Sequence, residues 1–263
     1  MKLGAGEVHV WLAFDGEFAD QQLQAGASVL EPAERERAAK LRVGHLPRQF
    51  LLTRTLQRSV LSVYAPQVAP QAWRFVTHEH GKPKLAPDFE ALELHFNLAH
   101  TSGLVAIAVA RAPLLGVDVE NAGTGAAPLH LAPRYFTDEE ARELAALPPA
   151  RQARRFFELW TLKESWLKAT GRGLAAGLGN VSFSFIDETT ARVAMTQDDA
   201  ACWRFWQAQP SEQHLLALAL RAESAEVEVR MFRQTPGAGF SYQPMPPPRR
   251  LDVASGQEQR AQT

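Results

Sequence analysis

Apolar residues recur along this chain in two rhythms. Val8-His9-Val10-Trp11-Leu12-Ala13-Phe14 and Leu114-Leu115-Gly116-Val117-Asp118-Val119-Glu120 alternate with the two-residue period of a strand. Leu104 to Val109 and Leu215 to Leu220 are continuous apolar runs of strand length. Phe50 to Leu61 and Phe156 to Lys168 instead carry their apolar residues along one side, as a helix does. Leu30-Glu31-Pro32-Ala33-Glu34 and Phe136-Thr137-Asp138-Glu139-Glu140 read as helix starts, with acidic residues in the first turn, where the helix dipole favours them.

These elements pair up. Arg48-Gln49-Phe50 to Leu61 matches Arg154-Arg155-Phe156 to Leu167 at an offset of 106 positions, with Arg, Phe, Thr, Leu, Ser and Leu recurring in order. The same offset relates the two helix starts and the two alternating strands, and Leu104–Val109 resembles Leu215–Leu220 at a slightly longer one. Several matches in one order predict two pseudo-symmetric α+β halves, residues 1–112 and 113–233. Each half is expected to be a small antiparallel sheet packed with a long helix. A cleft between such halves is a favoured place for a ligand.

Between and after the halves the pattern breaks. Asn121 to Pro128 is rich in glycine and alanine and is either a mobile element beside a site or a plain linker. Gly171, in Thr170-Gly171-Arg172-Gly173-Leu174, is placed to cap the long helix. Thr235 to Gly239 interrupts regular structure, Pro244-Met245-Pro246-Pro247-Pro248 follows, and residues 234–263 are expected to be a disordered, Pro-rich tail.

Composition narrows the class. The 263 residues are 46% hydrophobic and 22% charged, ample for a core, and the net charge of −1 argues against gripping nucleic acid or an anionic membrane. Cys202 is the sole cysteine, so a disulfide framework and a cysteine zinc site are excluded. Met1 to Phe14 lacks a signal-peptide pattern and no apolar run approaches membrane-spanning length, so a cytoplasmic protein is expected.

Candidate chemistry lies in the second half. Asp118 and Glu120, two apart on a strand, face one way, leaving Val117 and Val119 for the core. Like charges so placed are solvated or share a cation. Glu164 and Lys168, four apart on a helix, also share a face. The offset-matched residues of the first half are Leu12, Phe14 and Arg58, so the three acids belong to one half alone. Three carboxylates without cysteine suit Mg²⁺ or Mn²⁺, and hence a phosphate-bearing substrate. For Lys168 a surface pair with Glu164, worth about 0.2–0.5 kcal/mol, is the competing reading. His100 follows Asn97-Leu98-Ala99 in a turn among small residues, and Lys82 sits in the turn Gly81-Lys82-Pro83. Arg35, Arg37, Lys40, Arg42, Arg48, Arg54 and Arg58 make either a solvated helix surface or an anion-binding wall.

The ordered set Gly81-Lys82-Pro83, Asn97-Leu98-Ala99-His100, Gly116-Val117-Asp118-Val119-Glu120 and Trp160-Thr161-Leu162-Lys163-Glu164-Ser165-Trp166-Leu167-Lys168 resembles the 4'-phosphopantetheinyl transferases. The likeness is to the monomeric surfactin-synthetase type and runs from about Val8 to Arg221. It implies transfer of the phosphopantetheine arm of coenzyme A to a serine of an apo acyl or peptidyl carrier protein, releasing 3',5'-ADP. It further implies that Asp118, Glu120 and Glu164 hold Mg²⁺ and that Glu164, or a metal-bound water it positions, takes the serine proton. Lys168 would stabilise the pyrophosphate, while His100 and Lys82 would contact the phosphates and adenine end of coenzyme A. Arg37 and Arg48 align more loosely with further basic contacts. Ala99 departs from the family's commoner serine and removes a hydroxyl. Two rival readings are a non-catalytic carrier-binding module derived from such an enzyme, and a nucleotide phosphotransferase, for which the chain has no G-x-x-x-x-G-K-[ST] loop.

Overall fold

The computed structural model describes residues 1–41, 44, 46–77, 81–123, 127–173, 177–187, 190–196, 198–237 and 240–254. Arg42, the middle of the glycine-rich segment at 124–126, Leu174, residues 238–239 and the tail from 255 lie outside the described residues. The fold is α+β in two units: Met1–Pro113 with Glu226–Pro247, and Leu114–Ala225 with the chain from Pro248 onward. None of the described helices is long and apolar enough to cross a membrane.

In the first unit, β1 (Glu7–Phe14) is followed by α1 (Asp20–Gly26), α2 (Pro32–Lys40) and α3 (Leu46–Tyr64). The short strands β2 (Phe75–Thr77) and β3 (Pro83–Leu85) form a separate hairpin ahead of β4 (His95–Thr101) and β5 (Leu104–Ala110). The chain returns to this unit for β11 (Glu228–Thr235) and β12 (Ser241–Met245), giving a sheet in the order β12-β11-β1-β5-β4. Leu52, Leu56 and Val60 of α3 join Trp11, Val105, Ile107 and Val109 of the sheet in one apolar core.

In the second unit, β6 (Leu115–Asn121) leads through α4 (Ala132–Tyr135) and α5 (Asp138–Ala146) to α6 (Pro149–Thr170). Strands β7 (Val181–Phe185), β8 (Thr190–Met195), β9 (Trp203–Ala208) and β10 (His214–Arg221) follow, and β13 (Arg249–Arg250) and β14 (Asp252–Ala254) complete two sheets, β13-β9-β10-β6 and β14-β8-β7. Phe156, Leu162 and Trp166 of α6 pack with Phe183, Phe205, Ala217 and Ala219. Proline opens α6, and Gly171 closes it with φ 67°, its N–H donating to the Leu167 carbonyl at 2.9 Å. The internal offset holds element by element: shifted by 106, Pro32–Lys40 becomes the 138–146 of α5, and Tyr64 falls on Thr170.

Three expectations need correction. The sheets are not wholly antiparallel, since β1 pairs parallel with β11 and β8 parallel with β14. Residues 226–233, assigned to the second half, lie in the first unit, where Val229 and Met231 of β11 are buried beside β1. This pairing joins segments more than 200 residues apart, which no local pattern encodes. Residues 234–237 and 240–254 are not a loose tail: Ser241–Met245 pairs antiparallel with β11, and Pro244 is accommodated because β12 is an edge strand.

Candidate functional site

The second unit assembles Asp118, Glu120, Glu164 and Lys168 because β6 lies flush against α6. Gly116 makes this approach possible. A Cβ there would stand 1.9 Å from the Ser165 carbonyl oxygen and 2.5 Å from the Ala169 nitrogen. Residues two and four further along the strand share the face of Gly116, so Asp118 and Glu120 also point toward the helix. Val117 and Val119, on the opposite face, are buried as expected, and of the two readings for the acids a solvated strand face is the one that does not hold, since Asp118 is buried too.

Asp118 is 5% exposed. Lys168 Nζ donates to its Oδ1 at 2.6 Å, while Oδ2 is buried with no hydrogen-bond partner among the described residues. Lys168 therefore pairs across to the strand, and not with Glu164 one turn back. Burial pushes the Asp118 carboxyl above the ordinary range against the opposing pull of Lys168. Glu120 is pushed up to about 7 by burial, then by the charge of Asp118 and, after the opposing Lys168, by Glu164, with Trp160 opposing more weakly. Glu164 is raised by burial and by Asp118, with Lys168 opposing. Glu120 thus feels both other acids, and Glu164 feels Asp118.

Sequence reasoning missed what frees position 164. Glu34 of α2 and Glu140 of α5 are equivalent under the offset of 106, and each accepts from the backbone N–H three residues before it, Glu31 and Thr137. Each also binds a fully buried cation of the long helix, Arg58 at 2.8 Å in the first unit and Lys163 at 2.7 Å in the second. Arg58 matches Glu164, but Lys163 stands one residue earlier. Moving the structural cation back by one leaves 164 open for an acid. A lysine amid the buried face Leu159-Leu162-Trp166 was the available signal, since a charge there demands a partner.

The other candidates belong to the first unit. Arg48 donates to the carbonyls of Asp15 (3.0 Å) and Phe18 (2.7 Å) and pairs with Asp20, which ties α3 to the turn after β1. Arg37 is exposed, its guanidinium 5.5 Å from the centre of the Phe50 ring. Lys82 is half-buried at the entry to β3, and burial lowers it to about 8. It in turn helps depress His95, after burial. His100 is exposed near the end of β4.

For a metal, the donor chemistry fits. Three carboxylates of raised proton affinity lie together, and a buried carboxylate oxygen without a partner is what a hard cation satisfies. Among the described residues, however, no three side chains are gathered closely enough to enclose an ion, Asp118 being turned onto Lys168 instead.

Residues 114–219, which contain this constellation, match the model of the 4'-phosphopantetheinyl transferase superfamily. The chain is 30% identical over 244 residues to the 4'-phosphopantetheinyl transferase HetI of Nostoc sp. strain PCC 7120, covering 93% of each chain. It is a 4'-phosphopantetheinyl transferase. The B. subtilis strain 168 transferase Sfp is similar over 189 residues at 29% identity, 72% of this chain and 81% of the relative. As an enzyme of this superfamily, the chain carries its four convergent charged residues within the segment that the family as a whole shares.

Proposed function

We propose that this transferase moves the 4'-phosphopantetheine arm of coenzyme A to a serine hydroxyl of an apo acyl or peptidyl carrier protein, releasing 3',5'-ADP in a Mg²⁺-dependent reaction. The observation that carries this reading is Asp118: a buried carboxylate with one oxygen on Lys168 and the other unsatisfied, beside two more acids of raised proton affinity. Asp118, Glu120 and Glu164 would hold the cation. When bound, Mg²⁺ would neutralise charge on the pyrophosphate oxygens.

The chain's own groups do the rest. Lys168 has three N–H donors, one of them on Asp118, so two remain for a phosphate oxygen that gains charge as the ester bond breaks. Glu164, its basicity increased by burial and by Asp118, is suited to take the proton of the attacking serine. Lys82 and His100 are assigned to the phosphate and adenine end of coenzyme A. An anion against Lys82 would restore its charge and raise it from about 8. Arg37 is exposed and available for a similar contact, whereas Arg48 is engaged by Asp15, Phe18 and Asp20.

Mass spectrometry of an apo carrier protein incubated with the enzyme, coenzyme A and Mg²⁺ tests the reading. A phosphopantetheine mass gain is expected, abolished by EDTA and by Asp118→Ala or Glu164→Ala in variants that remain folded by circular dichroism. No mass gain with either acyl or peptidyl carriers would overturn it.

A further inference from the structure

The face of α6 away from Glu164 and Lys168 is used by neither. At 100° per residue, Arg151, Arg155 and Leu159 form a stripe roughly opposite Glu164. This stripe borders two adjoining cavities that share Leu147, Arg151, Arg155 and Phe185. The smaller, about 210 Å³, is flanked by four guanidiniums: Arg151, Arg154 and Arg155 from the first turns of α6, and Arg249 from β13. Among the described residues Glu158 is the one acid lining it; it pairs with both Arg154 (2.9 Å) and Arg155 (3.1 Å), and Arg154 also donates to the Gln209 side-chain oxygen. The larger, about 600 Å³, has an apolar floor of Leu144, Leu147, Leu159, Phe183 and Phe185, with Ile186 exposed at its edge. The Arg155 guanidinium lies 3.9 Å from the centre of the Phe185 ring, where the two cavities join. Among the described residues the acids on the larger cavity are Glu140, held by Lys163, Glu143, which accepts from the Ser184 hydroxyl, and Asp187, which accepts from the Thr190 N–H.

Arginines crowd the smaller cavity and apolar side chains the larger, with Arg151 and Arg155 bordering both. We propose that the two together are a second ligand site for a free amphiphilic anion, with a carboxylate or phosphate head among the arginines and an aliphatic tail over the leucine and phenylalanine floor. Guanidiniums offer paired N–H donors that match such a head. The combined space falls within the range of small-molecule sites.

Isothermal titration calorimetry of the full chain with decanoate tests this. Saturable binding is expected, weakened at least tenfold by Arg151→Glu, by Arg249→Glu and by Ile186→Asp. All three positions are exposed, so the variants should fold. Decyltrimethylammonium and acetate, which each lack one half of the recognised chemistry, should not bind. Coenzyme A should not displace decanoate, and Lys168→Ala should bind it normally. Displacement by coenzyme A, equal binding of decyltrimethylammonium, or binding only to vesicles of anionic lipid would overturn the proposal.

Discussion

Glu120 illustrates how much one side chain's surroundings can decide. Its proton affinity is raised to about 7 by burial and by two acids of like charge. Between its unfolded value of about 4.5 and 7 the folded state holds a proton that the unfolded state has lost, so stability must fall as pH rises through that window. Without divalent cations, Tm should decline from pH 5 to pH 8, and Glu120→Gln should flatten the decline. Mg²⁺ should raise Tm more at pH 8 than at pH 5.5, because protons compete for the same oxygens. Differential scanning fluorimetry across that range reads both effects. At this scale the sequence was informative: alternation paired Asp118 with Glu120, and a four-residue step paired Glu164 with Lys168. It was silent on which face of β6 the helix would cover. That is settled by Gly116, whose missing side chain permits the contact, and a glycine in a strand pattern does not announce what approaches it.

The contact between β6 and α6 is the element on which the site depends. Gly116→Ala would press a methyl group into the backbone of α6 and should cost about 3 kcal/mol, at the upper end for overpacking. Gly16→Ala, where nothing lies within 4 Å, is the matched control and should be nearly neutral in urea unfolding. The α5–α6 pairing gives a second measure. Lys163→Met leaves Glu140 buried without its cation, and should destabilise by roughly 3–5 kcal/mol. The double change with Glu140→Gln should recover part of that. The helices themselves were readable from periodicity and acidic first turns, and the offset paired the starts of α2 and α5, whose extents the structure then matches. The Glu140–Lys163 pair was not readable, because its two members are joined only once α5 is laid on α6.

At the scale of the molecule, the chain leaves its first unit at Pro113, returns at Glu226 and leaves again at Pro247. Ending it at Arg233 would strip β12, β13 and β14 and shorten β11, so the shortened chain should melt at least about 10 °C lower or fail to accumulate. Equal Tm for the two lengths would show that these strands contribute nothing. The returns were illegible because a strand's partner in a sheet is chosen by position in space, and the proline-rich stretch mimicked a segment without a core. The displaced buried cation also constrains how two such units can come to differ. Converting Arg58 to glutamate would not produce a second acidic centre in the first unit; it would take the buried cation from Glu34, set a second acid beside it and leave it only the longer pair with Arg54 at 3.5 Å. A lysine must first stand at position 57, where the chain now has Gln57. The route from a structural unit to a catalytic one therefore has an order of steps, with the replacement cation arriving before the acid.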